Sequence, residues 1–129
     1  MYSYAIAPGA DLCFLRYEGA VTGQESIRAI RDVHADPQWH RGMDLVCDYL
    51  GVHLLDIVPD ELYEVFRLRT EDVTGRDACV VRREIDETIA RLYQRMAEAK
   101  GKEAHVCHTL EEAFRALGVG AEVRTALDL

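Results

Sequence analysis

The sequence predicts an α/β fold, with one mixed, mostly parallel sheet of five strands and about four helices. Two observations support this prediction. Short apolar runs typical of strands alternate along the chain with longer segments in which apolar residues recur about every 3.6 positions. Each change from one pattern to the other is marked by glycine, proline or a capping residue. The expected order of elements is ββαβαβαβα, which is typical of a layered α/β domain.

The first two predicted strands are expected to form a hairpin. Residues 2–7 and 12–18 are separated only by a turn that begins at Pro8, and so short a connection permits only antiparallel pairing. A helical segment precedes each later strand, so right-handed crossovers are expected to place those strands parallel to one another. The later strands are predicted at residues 44–49, 77–82 and 103–107.

Capping residues indicate where two of the helices begin. Thr22 is followed three residues later by Glu25, and Thr109 is followed in the same way by Glu112, which is the pattern of a capping box. Between these two helices, a further one is predicted from Pro59, because proline is favoured in the first turn of a helix.

The longest predicted helix covers about residues 84–100 and has a helical apolar period. Its inner face is predicted to consist of Ile85, Ile89, Leu92, Met96 and Ala99. Residues 118–129 are expected to form a C-terminal tail or a short extra helix. The whole chain, residues 1–129, is expected to be a single domain, as its length also indicates.

The composition argues against several classes of function. The net charge of -8, from 23 acidic and 15 basic residues, disfavours binding to nucleic acid or to anionic membranes. No apolar run approaches the length of a membrane span, so no membrane insertion is expected. Four cysteines fall in predicted strands without a zinc-binding spacing, which favours reduced thiols in a cytoplasmic protein: Cys13, Cys47, Cys79 and Cys107.

Several short motifs follow one another in a characteristic order. YEG (17–19) ends an early strand, LVCDYLG (45–51) and ACVVR (78–82) form later ones, and a long amphipathic helix then ends at a glycine. A short strand and a Thr-capped helix close the pattern, with Gly101, Val106, Thr109, Glu111, Glu112, Ala113, Phe114 and Leu117. Over roughly residues 10–118, this order resembles the SpoIIAA-like branch of the STAS superfamily, whose members include small stand-alone bacterial proteins.

The resemblance implies a non-enzymatic regulatory or protein-interaction module. Some relatives in the wider superfamily are switched by phosphorylation of a Ser or Thr just after the central strand. The corresponding residues 49–56 contain neither, so that switch is not carried over to this chain. The branch also resembles the SEC14-like lipid-exchange fold, which implies an alternative function as a carrier or sensor of a small apolar, lipid-like ligand.

A binding surface is expected at the carboxyl ends of the parallel strands, where ligands of open α/β sheets bind. Residues 50–58 are predicted to be an irregular loop that is too apolar to be left in water, so it needs cover from a partner chain, a ligand or one of the protein's own helices. A homodimer is the expected cover, because two-fold pairs are the commonest oligomers. The predicted surface consists of Asp48, Tyr49, Gly51, Val52, His53, Leu54, Leu55, Asp56 and Trp39.

A small enzyme is a second alternative. Asp48 and Glu84 would supply a carboxylate pair for acid–base chemistry, and His53 a base that titrates near neutral pH. The competing interpretation of Asp48 is a structural ion pair with Arg82 or Arg83, and His53 is more often a structural residue in such a setting. We expect no catalytic residue and no cofactor.

Two further features have both a functional and a structural interpretation. His105, Cys107 and His108 are possible metal ligands, but strand alternation places His108 on the opposite face from the other two, so we expect no metal site. Trp39 lies beside basic residues in a predicted loop, where it serves either as an anchor for a partner or as a cover over the edge of the sheet.

Overall fold

The computed structural model describes residues 1–129, apart from the side chain of Pro8. Its centre is one five-stranded sheet in the order β1-β2-β3-β4-β5. The β1 strand pairs antiparallel with β2, and the other neighbouring strands pair in parallel, which confirms the predicted fold class. The strands are β1 (Tyr2–Ala7), β2 (Leu12–Thr22), β3 (Asp44–Asp56), β4 (Asp77–Val80) and β5 (Ala104–Cys107).

Five helices cover the two faces of this sheet. They are α1 (Gly23–Ala35), α2 (Pro59–Arg69), α3 (Glu84–Ala99), α4 (Leu110–Ala116) and α5 (Ala121–Ala126). Alternate residues of β2 point to opposite faces, so that Leu12 and Phe14 pack with Phe114 of α4, whereas Leu15 and Tyr17 pack toward α1. The helices α1, α2 and α3 connect successive parallel strands and therefore share one face.

A threonine N-cap bond forms at the start of both α1 and α4, at the residues where the capping boxes are predicted. The hydroxyl of Thr22 accepts a hydrogen bond from the amide of Glu25 at 3.1 Å, and Thr109 accepts one from Glu112 at the same distance. These bonds satisfy amides in the first turn that have no partner within the helix. The start of each helix is therefore fixed by residues within four positions of one another.

The prediction of an irregular loop at residues 50–58 is wrong, because β3 continues to Asp56. Its partner β2 also continues past Glu18, and the two strands pair in parallel as far as Thr22 and Asp56. The pairing contains two register shifts, and Gly19 within this region has a φ of +75°, a conformation that favours glycine. Beyond β4, the two strands form an extension that we call the β2–β3 ribbon (residues 18–22 and 49–56).

The predicted inner face of α3 is also displaced from the observed one. Ile85 and Leu92 are 53% and 47% exposed, and Ala99 is exposed as well. The buried residues of the helix are instead Asp86, Ala90, Tyr93 and Ala97, one position farther along than the predicted apolar series. The small alanines let this face approach the sheet closely, and the hydroxyl of Tyr93 reaches Asp77 at the start of β4.

Two alternatives were predicted for the C-terminal residues, a tail and a short extra helix, and the structure contains the helix, α5. Leu127, just after α5, is buried in the cluster that contains Phe114, and Val123 packs against the same cluster. The guanidinium of Arg124 lies 5.3 Å from the centre of the Phe114 ring. In the part of the chain that the structure describes, every helix is too short or too polar to span a bilayer.

Candidate functional site

A narrow cavity lies between the sheet and the helices α1, α2 and α3, and we call it the sheet cavity. The space inside it that is free for another molecule is about 50 Å³, so only a slim molecule fits, and one side opens to solvent. The sheet contributes Tyr17, Cys47, Tyr49 and Cys79, and the helices contribute mainly apolar side chains such as Val65 and Ala90. Mainly apolar walls with a few polar groups are typical of small-molecule sites.

Strand register places the sheet-side residues next to one another. Cys47 of β3 and Cys79 of β4 are direct partners in the parallel ladder, and the ring of Tyr17 stacks on that of Tyr49 at 4.9 Å. Burial raises the pKa of Tyr17 and Tyr49 well above the usual range, and contact with the Cys79 thiol together with burial does the same for Cys47. The side chains of Tyr17, Tyr49 and Cys47 are therefore uncharged at neutral pH.

A buried ion pair forms one end of the cavity, which we call the Arg69 end. Arg69 is the last residue of α2 and Asp77 is the first residue of β4, and each side chain is only 4% exposed. Arg69 Nη2 donates to one oxygen of Asp77, and the hydroxyl of Tyr93 donates to the other. The pair thus joins α2, β4 and α3 below the cavity.

His34 and Trp39 close the outer side of this end. The Nη1 of Arg69 donates to Nε2 of His34 at 3.0 Å, so this imidazole nitrogen is an acceptor. Burial, together with the nearby Arg69 charge, lowers the pKa of His34 to about 4, which keeps the ring neutral at physiological pH. Trp39 stacks on His34 at 5.0 Å, and the Arg69 guanidinium lies 5.4 Å from the centre of the Trp39 ring.

A second buried cation lies beside the ion pair. Lys102 is almost fully buried, and its Nζ donates to the carbonyl oxygens of Gly75 at 2.6 Å and Asp72 at 3.0 Å. Its Nζ is also 4.0 Å from an oxygen of Asp77. Burial lowers the pKa of Lys102, although the nearby Asp77 opposes this effect.

Asp86, in the first turn of α3, forms the opposite end of the cavity, which we call the Asp86 end. The residue is 1% exposed, and among the described residues neither of its carboxylate oxygens has a hydrogen-bond partner. Its nearest cation is Arg83, whose Nε lies 3.6 Å away. Burial raises the pKa of Asp86 above its usual range. Arg69 Nε, at the other end, is likewise buried without a partner.

The predicted binding surface is divided between the cavity, the core and solvent. Tyr49 and Leu55 line the sheet cavity, and Val52 is buried in the core beside α1. Exposed positions are Gly51, His53, Leu54 and Asp56. Trp39 is half-buried, with its ring beside the Arg69 guanidinium.

Asp48 takes part in a structural ion pair, although not with either predicted partner. Its Oδ2 accepts a hydrogen bond from Arg16 Nε at 3.0 Å, and its Oδ1 accepts one from the amide of Leu50 at 2.8 Å. Glu84, the other half of the hypothetical carboxylate pair, is exposed at the start of α3. Asp48 is thus already bound on both oxygens.

The possible metal ligands of β5 have other partners. The Nε2 of His105 lies 2.7 Å from a carboxylate oxygen of Glu103, and His108 contacts Glu87 in the same way. Cys107 is buried in the core on the α4 side of the sheet. Among the residues described, no cluster of three potential ligands is close enough to hold a metal ion.

Sequence reasoning did not identify Asp86 as part of a site. The sequence does contain a sign of its burial, which is the spacing between residues. Asp86 precedes Tyr93 by seven residues, so both lie on one face of α3. In the same way, Arg69 follows Leu62 by seven residues on α2. Both helices therefore carry a charged residue in line with their buried apolar residues. That pattern indicates buried charges, but only the packed structure places them around a common space.

No protein-family model matches the sequence, and no curated protein matches it either. The structure is similar to the crystal structure of an uncharacterised protein of the DUF3478 family from Shewanella loihica, which is described as having a SpoIIAA-like fold. The TM-score is 0.61 at 11% sequence identity, and the match covers 90% of this chain and 93% of the other. This likeness concerns the fold alone, and it agrees with the resemblance found in the motifs. The chain therefore has a SpoIIAA-like fold.

Proposed function

We propose that this protein is a non-catalytic binding module that holds a small, largely apolar molecule in the sheet cavity. On this proposal, occupancy of the cavity is the signal or cargo that the protein carries. The observation that supports it most directly is an apolar cavity bounded at its two ends by Arg69 and Asp86, each with a buried polar atom that has no hydrogen-bond partner among the described residues. Such atoms are costly to bury unless something binds them, so they favour an occupant of the cavity.

The position of the cavity also supports a binding role. Its walls come from the middle of the sheet and from three different helices, so a bound molecule would contact all of these elements at once. A ligand that binds only the folded protein increases the free energy of unfolding, and this increase grows with the logarithm of the ligand concentration. Four free cysteines further support a cytoplasmic location, because thiols stay reduced there.

Filling the cavity tests this proposal. Ala90 lines the cavity from α3, so Ala90→Leu should occupy part of the space without removing any hydrogen bond. We expect the wild-type protein to bind 1-hexanol, a slim apolar probe, at a ratio of one to one, and Ala90→Leu to weaken this binding at least about tenfold in a calorimetric titration.

Ala99→Leu is the matched control, because Ala99 lies on the same helix but is exposed and does not line the cavity. This variant should bind the probe like the wild-type protein. Native mass spectrometry of gently purified protein should also detect a small molecule in the wild-type sample and less of it with Ala90→Leu. Equal probe binding by all three proteins would contradict the proposal.

The β2–β3 ribbon supports a second candidate function, which is self-association. β4 pairs with β3 only as far as Asp48, so the residues from Tyr49 to Asp56 have a free outer edge along the ribbon. Leu54 on this ribbon is 51% exposed. A free strand edge is a template for pairing with another strand, and a two-fold pair of such edges would close the assembly at a homodimer.

Light scattering at tens of micromolar tests the second candidate. A homodimer has twice the 14.6 kDa mass of the chain, and Leu54→Asp should convert it to a monomer by placing like charges across the two-fold axis. Leu92→Asp is the matched control, because Leu92 is similarly exposed but lies on α3. A wild-type mass of 14.6 kDa would count against this candidate and leave the cavity proposal intact.

A further inference from the structure

The two ends of the sheet cavity differ in chemistry, and this difference bears on what the cavity binds. Both Arg69 and Asp86 line it, but one is a permanent cation and the other a carboxyl group. The following inference rests on the proposed function, because it concerns the ligand of the same cavity.

The Arg69 end carries an excess of positive charge. Arg69 and Lys102 are two buried cations that face one buried carboxylate, Asp77.

The other carboxylates near this end pair with other arginines and so do not balance the second buried cation. Asp72 lies 3.7 Å from Arg41, and Asp44 lies 2.8 Å from Arg76. Tyr93 and His34 are neutral, so they do not balance the second cation.

One nitrogen of the Arg69 guanidinium has no hydrogen-bond partner among the described residues. Its Nη1 donates to His34 and its Nη2 donates to Asp77, whereas Nε is buried and has no partner among the described residues. A buried donor next to an excess of positive charge favours an anionic oxygen, because charge-assisted hydrogen bonds are about twice as strong as neutral ones.

The Asp86 end favours a hydrogen-bond donor. Both carboxylate oxygens of Asp86 are buried and lack a partner among the described residues, and Arg83 Nε remains 3.6 Å away. A hydroxyl group on a bound molecule would donate to such an oxygen. It would thereby remove a desolvation cost that the empty cavity leaves in place.

The helix α3 gives the distance between the two ends. Asp86 and Tyr93 are seven residues apart, which corresponds to about 10 Å along a helix, and Tyr93 contacts the Asp77 that binds Arg69. Between them the cavity is lined by uncharged groups such as Tyr49, Cys47 and Ile89. A ligand that reaches both ends therefore needs an apolar body of roughly this length.

We propose that the sheet cavity binds a slim carboxylic acid with an apolar body, its carboxylate at Arg69 and a hydroxyl group at Asp86. The apolar body lies along the sheet between β3, β4 and the inner faces of α2 and α3. The carboxylate accepts from Arg69 Nε, and its charge balances the excess positive charge at that end from outside the Lys102 site, which does not line the cavity. The hydroxyl donates to Asp86 and is the smaller of the two polar contributions.

Calorimetric titration with three related molecules tests this ligand class. We expect ω-hydroxyoctanoate to bind most tightly, octanoate next, and octanol at least about tenfold more weakly than octanoate, because it lacks the anion. With Asp86→Leu, octanoate should keep its affinity, whereas the advantage of ω-hydroxyoctanoate should disappear. The ligand series needs no variant at Arg69, so it stands even if the ion pair is essential for folding.

Three results would overturn this inference: octanol binding as tightly as octanoate, an unchanged hydroxyl advantage in Asp86→Leu, or no binding of any of the three molecules. None of them by itself overturns the proposed function. That function is judged separately, by binding of the 1-hexanol probe to the wild-type protein and its loss in Ala90→Leu. If Ala90→Leu loses probe binding but octanoate and octanol bind the wild-type protein equally well, the protein binds a ligand in its cavity and that ligand is not an acid.

Discussion

Two buried carboxylates of this protein differ in how well their oxygens are satisfied. Asp48 is 3% exposed and Asp86 is 1% exposed, so burial alone does not separate them. Asp48 accepts hydrogen bonds from Arg16 and from the amide of Leu50. Asp86 has only the ion pair with Arg83 at 3.6 Å. A buried carboxylate without hydrogen bonds destabilises the fold, and that is the feature expected of a group kept for binding rather than for stability.

We predict that Asp86→Asn increases the free energy of unfolding by about 1 kcal/mol at pH 7 in chemical denaturation. Loss of a negative charge at the start of α3 costs about 0.3–1 kcal/mol, but burial of an unsatisfied charged group costs about 1–3 kcal/mol or more, so the gain is larger. The control is Asp48→Asn, which should lower stability because it weakens the bonds to Arg16 and Leu50.

The pH dependence of this effect follows from the direction of the pKa shift of Asp86. Burial raises the pKa in the folded state above the value near 3.8 that applies when the chain is unfolded. The stability that a raised pKa contributes is fully present below pH 3.8 and is lost as the pH rises through the folded-state pKa. The advantage of Asp86→Asn should therefore grow as the pH rises from about 3.8 and reach its full size above the folded-state pKa. A variant that is less stable than the wild-type protein at pH 7 would contradict the prediction.

At the scale of elements, signals within a few residues predicted the helix starts well and the length of β3 poorly. The N-cap bonds of Thr22 and Thr109 each join residues only three positions apart, so their partners are visible in the sequence. The end of β3 depends on β2, whose Gly19 resembles a strand terminator but allows a bulge inside the strand. Each register shift also disturbs the two-residue alternation by which a strand is recognised.

The inner face of α3 illustrates a second limit of sequence patterns. Ile85 and Leu92 are strongly hydrophobic, yet both lie at the surface, whereas Ile89 and Met96 of the same series are partly buried. Ala90 and Ala97 face the interior instead, because their small side chains allow close approach of the helix. Alanine carries little information about burial, so the phase of this helix depends on tertiary packing. The same rotation brings Asp86 to the cavity.

For the molecule as a whole, topology was predictable from the sequence and the cavity was not. Five strands and their connections are indicated by turns, caps and apolar runs, each a local signal. The sheet cavity depends on how far α1, α2 and α3 stand from the sheet, which is set by residues far apart in the chain. Tyr49 was predicted in a binding surface and does line the cavity, although the reason given was an apolar loop rather than a strand.

The buried cluster around Asp77 connects most of these distant elements. Arg69 comes from α2, Tyr93 from α3, and His34, which bonds to Arg69, from α1. We predict that Asp77→Asn lowers the free energy of unfolding by about 3–5 kcal/mol, because it leaves Arg69 buried without its counter-charge. Chemical denaturation monitored by circular dichroism measures this loss.

Removing both members of the ion pair decides whether the charge or the packing of this cluster matters more. The double variant with Arg69→Met and Asp77→Leu should lose clearly less stability than the sum of the two single variants, since no unpaired charge from the pair remains buried. Some loss should persist, because Tyr93 then lacks its acceptor and Lys102 its nearest carboxylate. If instead the two single losses add up in the double variant, the ion pair contributes no coupling. The cluster would then stabilise the packing of the three helices on the sheet through side-chain volume alone. Its excess positive charge would in that case no longer support binding of an acid at the Arg69 end of the cavity.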